Sequence, residues 1–128
     1  MMTAIFLLVV IAVLAGYIVS LSNTQHTSAT LDFQGARAYQ AAFAGMQWGV
    51  HRALNGATCA GSMSLTGDLA GFAATVSCTP FTYDEGPPPT RTIYRIESTG
   101  CSPPAAGACP GTAGNYYVER QIEVTLDK

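Results

Sequence analysis

The sequence predicts an α+β fold: a long N-terminal helix, half membrane-compatible and half amphipathic, packed on a small antiparallel sheet of three to four strands. Three observations carry that expectation. Residues 1–31 contain no Asp, Glu, Lys or Arg, the first charge being Asp32. Beyond residue 55 the hydrophobic period changes from helical to alternating. All four cysteines, at 59, 78, 101 and 109, lie in that second part.

Composition narrows the class. Charged residues make up 11% of the 128 and hydrophobic ones 48%, with a mean hydropathy of +0.24. Soluble domains carry about 25% charge, so a disordered or strongly solvated chain is excluded. A net charge of −2 and a pI near 5.5 lack the clustered Lys and Arg of a nucleic-acid footprint.

Residues 1–22 hold nothing ionisable but Tyr17. As a helix, about 20 residues reach ~30 Å, the thickness of a bilayer core. A cleaved secretory signal has a basic start, a shorter apolar run and a small-residue cleavage site; none of the three is clear here. This stretch is therefore read as a membrane-spanning helix. No basic residue precedes the run, so a removed leader or a start inside a longer gene product is expected.

The helix is expected to continue. Residues 23–54 form its amphipathic half, entered through Ser- and Thr-rich SNTQHTSAT, a weak helix former. Tyr39, Phe43, Met46, Val50 and Leu54 then fall on one stripe of large apolar side chains at helical spacing. These are expected to pack on the sheet. Beside them Leu31, Gly35, Ala38, Ala42, Gly45 and Gly49 form a stripe of small residues, the kind that lets another helix backbone approach closely. Two readings stand open for it: contact with a neighbouring helix in an assembly, or burial under the domain's own sheet. Ala12, Gly16 and Ser20 repeat the small spacing in the first half. Trp48 lies off the large stripe, either as an assembly contact or packed under the C-terminal segment. Asn55-Gly56 ends the helix.

Residues 55–128 read as a disulfide-bonded sheet, with 31–128 forming the globular domain. Phe72–Cys78, Thr92–Thr99 and Tyr117–Leu126 alternate as strands with one wet face, hence antiparallel. A fourth short strand is expected around Ser62–Leu65. Arg120 falls on the inward side of its strand, facing Asp32 or a helix end unless the register is bulged. No CxxC occurs and neither His lies near a Cys, which disfavours zinc. Two disulfides in an oxidising compartment fit better. Of three connectivities, Cys59–Cys78 with Cys101–Cys109 is favoured because each closes a local loop.

Catalytic patterns are missing from the sequence. His26 and His51 have no Ser, Cys or carboxylate partner at a motif spacing, and no GxSxG, SxxK, HExxH, P-loop or GxGxxG occurs. No enzyme and no cofactor is expected. Asp84-Glu85 offers oxygen ligands to calcium, but two acids before Gly-Pro read first as an exposed turn.

A charge-free helix running into an amphipathic half and a small disulfide-bonded sheet resembles a type IV pilin. The strings TAIFLLVV, GARAYQAAFAGMQWGV, LAGFAATVSC, YRIESTGC and YVERQIEVTL are similar to the minor pilin-like biogenesis components of mannose-sensitive haemagglutinin pili. The resemblance implies a single-pass inner-membrane subunit with a periplasmic domain, released into a filament and cut from a basic leader by a prepilin peptidase. It implies partners among other major and minor pilins and the inner-membrane assembly platform. It also implies that residues 16–30, with Gly16 and a Ser/Thr run, melt on entering a filament. Pilins usually carry Glu as the fifth mature residue. Here Ile5, or Thr3 if the mature end lies two residues upstream, stands in its place. That departure points to initiation or the tip rather than to a repeated building block. A type II secretion pseudopilin, or a membrane-anchored periplasmic binding or adhesin domain, is the runner-up.

Overall fold

With no proline before Pro80 and a run of Ala, Leu and other helix formers, nothing in the first 54 residues breaks a helix. In the computed structural model of the chain, which describes residues 2–84, 86, 91–114 and 116–128, α1 spans Met2–Leu54 without interruption. Through the weak helix-forming stretch, the hydroxyls of Thr24, Thr27 and Thr30 donate back to the carbonyls of Ser20, Asn23 and His26, at 3.2, 3.0 and 2.9 Å. Such bonds hold hydroxyl side chains inside a helix that they do not favour.

The chain forms two compact units, divided between Phe33 and Gln34. The first is helix alone. Its side chains are almost all exposed, and its 18-residue window of mean hydropathy 2.8 is long and apolar enough to cross a bilayer. Ala12, Gly16 and Ser20 are exposed there, and a Cβ on Gly16 would meet nothing within 4 Å.

The second unit, Gln34–Lys128, sets the last five turns of α1 on a four-stranded antiparallel meander. Its strands are β1 (Gly61–Ser64), β2 (Ala73–Tyr83), β3 (Arg91–Ser102) and β4 (Val118–Asp127), hydrogen-bonded in that order. The expected α+β fold with its long N-terminal helix is the one observed. The short fourth strand is present as β1, and β2 runs beyond Cys78, through Pro80. Proline fits because β1 pairs only with Ala73–Val76, so that from Ser77 onward one side of β2 is a free edge that needs no N–H donor.

The register aligns four cross-strand rows on the helix side of the sheet: Ala74–Gly100–Arg120, Val76–Ser98–Ile122, Cys78–Ile96–Val124 and Pro80–Tyr94–Leu126. The first two rows are small where the helix lies nearest. The core follows from this. Ala53, Cys59, Val76 and Ile96 form one cluster, and Ala38, Ala41 and Phe72 another.

A third cluster lies on the opposite face, where Cys109 and Tyr117 pack over Ala73 and Cys101. Its Cys109 is bonded to Cys101, and the Cys109 N–H donates to Thr75 Oγ1 at 2.8 Å. The Tyr117 hydroxyl accepts from Gly111 N–H at 3.1 Å and donates to Glu119. Cys59 bonds Cys78, fastening the stretch after the helix to the free edge of β2. Both bridges are the loop-local pair.

The helix ends as a Schellman motif. Gly56, at φ +69°, donates to Ala53 O (3.2 Å), and Ala57 donates to Arg52 O (3.0 Å). Lys128 completes this end, its ammonium donating to Leu54 O at 2.8 Å and Ala53 O at 3.2 Å. A cation at a helix C-terminus also meets the favourable end of the macrodipole.

Candidate functional site: the helix face turned from the sheet

Which side of α1 meets the sheet decides which side is left to meet anything else. Gly35, Ala38, Ala41, Ala42, Gly45, Gly49 and Ala53 are the buried helix residues. From Gly35 to Gly49 the small stripe therefore lies under the chain's own sheet, and the role of these residues as an assembly face is corrected; Leu31, at its start, is exposed. Contact is backbone-close. A Cβ on Gly100 would stand 2.3 Å from Ala38 O and 2.5 Å from Ala42 N. A Cβ on Gly45 would stand 2.5 Å from Ser98 Oγ, and one on Gly49 would stand 2.9 Å from Val76 Cγ1. Between them the buried Ser98 hydroxyl donates to Ala42 O at 2.7 Å, using a carbonyl already inside the helix ladder.

The large stripe is displaced accordingly. Tyr39, Phe43 and Leu54 are 53%, 42% and 50% exposed, and are not the helix-on-sheet core expected of them. Met46 is half-buried, and Val50 reaches the Val76–Ile96 cluster from its edge. The physical reason lies in the sheet: Ala74, Ser98 and Gly100 offer no pocket for a large side chain, but permit a helix of Gly and Ala to sit directly on the strands.

The third side of the helix is occupied by the segment leading into and out of β1. Arg52 Nε donates to Thr58 O at 2.8 Å, and its guanidinium stacks 5.0 Å from the Trp48 ring. Trp48 in turn covers Gly61, where a Cβ would lie 3.0 Å from its ring. Arg37 donates to Asp68 O and sits 5.8 Å over Phe72. Trp48 thus packs inside the domain, beside Cys59 and Ala53.

What remains is a face built from Ala36, Tyr39, Gln40, Phe43, Gln47, His51 and Leu54, all exposed. Past Gln34 the only charged helix residues are Arg37 and Arg52, both turned toward the 58–72 segment. The outward face carries no formal charge over five turns, and its large side chains project. A solvent-facing helix normally shows charge there. Apolar patches of this sort on soluble domains mark contact surfaces.

Other places offer less. Arg120 lies over Gly35, whose Cβ would be 3.2 Å from its guanidinium, and donates to Glu119 O. The wet face of the sheet has a shallow cleft of about 300 Å³ lined by Tyr83, Arg91, Ile93 and Asp127. Its charges are matched within it, Arg91 pairing with Asp127 at 2.9 Å; beside it Arg95, which stacks on Phe81, pairs with Glu123 at 3.0 Å. Asp84 accepts from Gly86 N–H at 3.4 Å, while Glu85, the other half of the calcium expectation, lies outside the described residues. Among the described residues no three His, Cys, Asp or Glu side chains gather as metal ligands.

Sequence reasoning missed Ala41, Ala53, Ser98 and Gly100 as the residues that seat the helix. The signal was present in YRIESTGC, where the inward positions shrink from Ile96 through Ser98 to Gly100. Comparison with family models, curated proteins and solved structures found no match to this chain.

Proposed function

We propose that the chain is a minor pilin-like subunit for type IV pilus biogenesis, of the kind found with mannose-sensitive haemagglutinin pili and resembling MshP, a minor pilin-like component of those pili. The supporting observation is α1 itself: a charge-free apolar half and a sheet-bound half within one unbroken helix, Met2–Leu54, on a disulfide-bonded meander. In this reading the apolar half anchors the chain in the inner membrane with the sheet in the periplasm. It then passes from lipid to the flanks of sister helices. The chain works by packing and has no catalytic step. Its place is at initiation or at the tip, with other pilins and the inner-membrane platform as partners.

The contact surface in this reading is the Tyr39–Phe43–Leu54 face, since the small stripe is covered. Bilayer crossing rests on length and hydropathy: about 20 apolar residues suffice. The test is processing and piliation together. Co-expression with a prepilin peptidase should shorten the full-length precursor, and deletion should reduce piliation while secretion through a type II system stays normal. An uncut precursor with normal piliation sinks the reading and favours an anchored binding domain.

A further inference from the structure

Of the chain's three asparagines only Asn55 precedes a glycine; Asn23 precedes Thr24 and Asn115 precedes Tyr116. An asparagine before glycine sets an electrophilic side-chain amide next to a backbone nitrogen that no side chain shields. Asn55 and Gly56 are both exposed, at the junction where α1 ends. Ring closure needs the Gly56 nitrogen to reach Asn55 Cγ, and both groups are engaged elsewhere. Gly56 N–H donates to Ala53 O at 3.2 Å. The Asn55 side chain turns back along the helix, its Nδ2 donating to His51 O at 2.8 Å and lying 3.1 Å from His51 Nε2. Lys128 Nζ ties the same turn to the end of β4, through Leu54 O and the same Ala53 O.

We propose that Asn55 is a self-modification site, converted to aspartate or isoaspartate when the last turn of α1 opens and kept intact by the Lys128 clamp while it is closed. In the first step the Gly56 amide gives its proton to water or hydroxide and its nitrogen bonds to Asn55 Cγ. The Cγ–Nδ2 bond breaks, and Nδ2 takes up a proton from water and leaves as ammonia. The product is a five-membered succinimide. Water then adds to one of the two ring carbonyls and the C–N bond there breaks. One opening restores the original backbone with an aspartate; the other gives isoaspartate, with the chain running through Cβ and Cγ. Water is the co-reactant throughout, and nothing is oxidised or reduced.

Either product adds one negative charge, taking the net charge from −2 to −3. The carboxylate arises at the C-terminal end of a helix, the end that repels it. It lies beside Lys128, whose Nζ stands 3.9 Å from a Cβ built on Gly56. Isoaspartate also lengthens the main chain by one carbon inside the Schellman turn and displaces the 3.0 Å bond from Ala57 N–H to Arg52 O. The segment that follows stays attached, because Cys59 is bonded to Cys78. The modified fraction therefore grows with each opening of this turn.

The test follows the full chain in detergent at neutral pH by intact mass and peptide mapping. A synthetic peptide of residues 51–57 is the unprotected reference. The mass gain of an amide-to-acid exchange should map to position 55 and not to Asn23. The folded chain should convert at least about ten-fold more slowly than the peptide, because the reactive conformation exists only in the opened turn. Lys128→Met should speed the folded chain about two- to five-fold, the fold-change of losing a helix-end cation when closing is fast against conversion. Ser98→Ala gives up a buried hydrogen bond of similar worth in mid-helix and should leave the rate unchanged. A smaller gap from the peptide, a Lys128→Met rate equal to the parent's, or no conversion of the peptide overturns the proposal. Equal acceleration by Ser98→Ala also overturns it, since the opening would then belong to the whole domain and not to the helix end.

Discussion

Gly100→Ala tests the helix–sheet seam with a single carbon. The added Cβ would lie 2.3 Å from Ala38 O, 2.5 Å from Ala42 N and 3.1 Å from Ala41 Cβ. The first two are backbone atoms of a hydrogen-bonded helix, so no rotamer change relieves them. Restoring ordinary contact requires the helix to rise by about 1 Å. That movement also stretches the 2.7 Å Ser98–Ala42 hydrogen bond past useful length. Overpacking of a tight core costs about 1–3 kcal/mol, and the lost buried hydrogen bond adds about 1 kcal/mol. The sum, roughly 3 kcal/mol, corresponds to about 12 °C or more in Tm for a unit of this size. The assay is thermal unfolding of the full chain in detergent, followed by near-ultraviolet circular dichroism. Gly114→Ala, where a Cβ meets nothing within 4 Å, is the comparator and should stay within about 0.5 kcal/mol. A Gly100→Ala protein melting within 2 °C of the parent refutes the backbone-close seam.

Three further outcomes are expected. Lys128→Met removes the ammonium from Ala53 O and Leu54 O and should cost about 0.5–1 kcal/mol, an effect that shrinks in high salt; an equal loss at all salt concentrations would mean packing, not charge. Replacing Cys59 and Cys78 by Ala opens a loop with a sequence separation of 19 and should lower stability by about 3 kcal/mol in urea unfolding; loss of the shorter Cys101–Cys109 loop should cost less. Burial, and secondarily the hydrogen bond to Glu119, raise the Tyr117 hydroxyl pKa above its ordinary value of 10.0. The folded state therefore holds this proton more tightly than the unfolded one. The resulting contribution is full below pH 10 and is lost as pH rises through the higher folded value. Amide exchange at Gly111, which donates to Tyr117, should accelerate beyond its ordinary base catalysis in that range and should not do so in Tyr117→Phe.

Much of the fold was legible in the chain because period is a local property. TIYRIEST and YVERQIEVTL alternate plainly; β3 contains the first, and β4 the second from Val118 onward. The unbroken α1 follows from the absence of proline before residue 80. The orientation of that helix was not legible from the helix alone. Two adjacent stripes were each consistent with the core, and size favoured the aromatic one. The choice was made by the sheet, whose inward Ala74, Ser98 and Gly100 leave room only for Gly and Ala. A helix face and a strand face select each other, so neither can be assigned singly. The same non-locality hid the place of Cys109: nothing in CSPPAAGACPG says that it returns to cover Ala73 and Thr75.

The Gly–Ala seam divides the molecule's freedom to change. At Gly45, Gly49 and Gly100 every substitution enlarges the residue, so this side of the helix has no near neighbours in sequence space that keep the fold. A few ångströms away around the same helix, Tyr39, Phe43 and Gln47 bear little on stability and can drift. Substitutions on the two sides of one helix therefore have separate consequences. Outward residues can alter the surface that the chain presents, while the buried glycines hold the architecture constant.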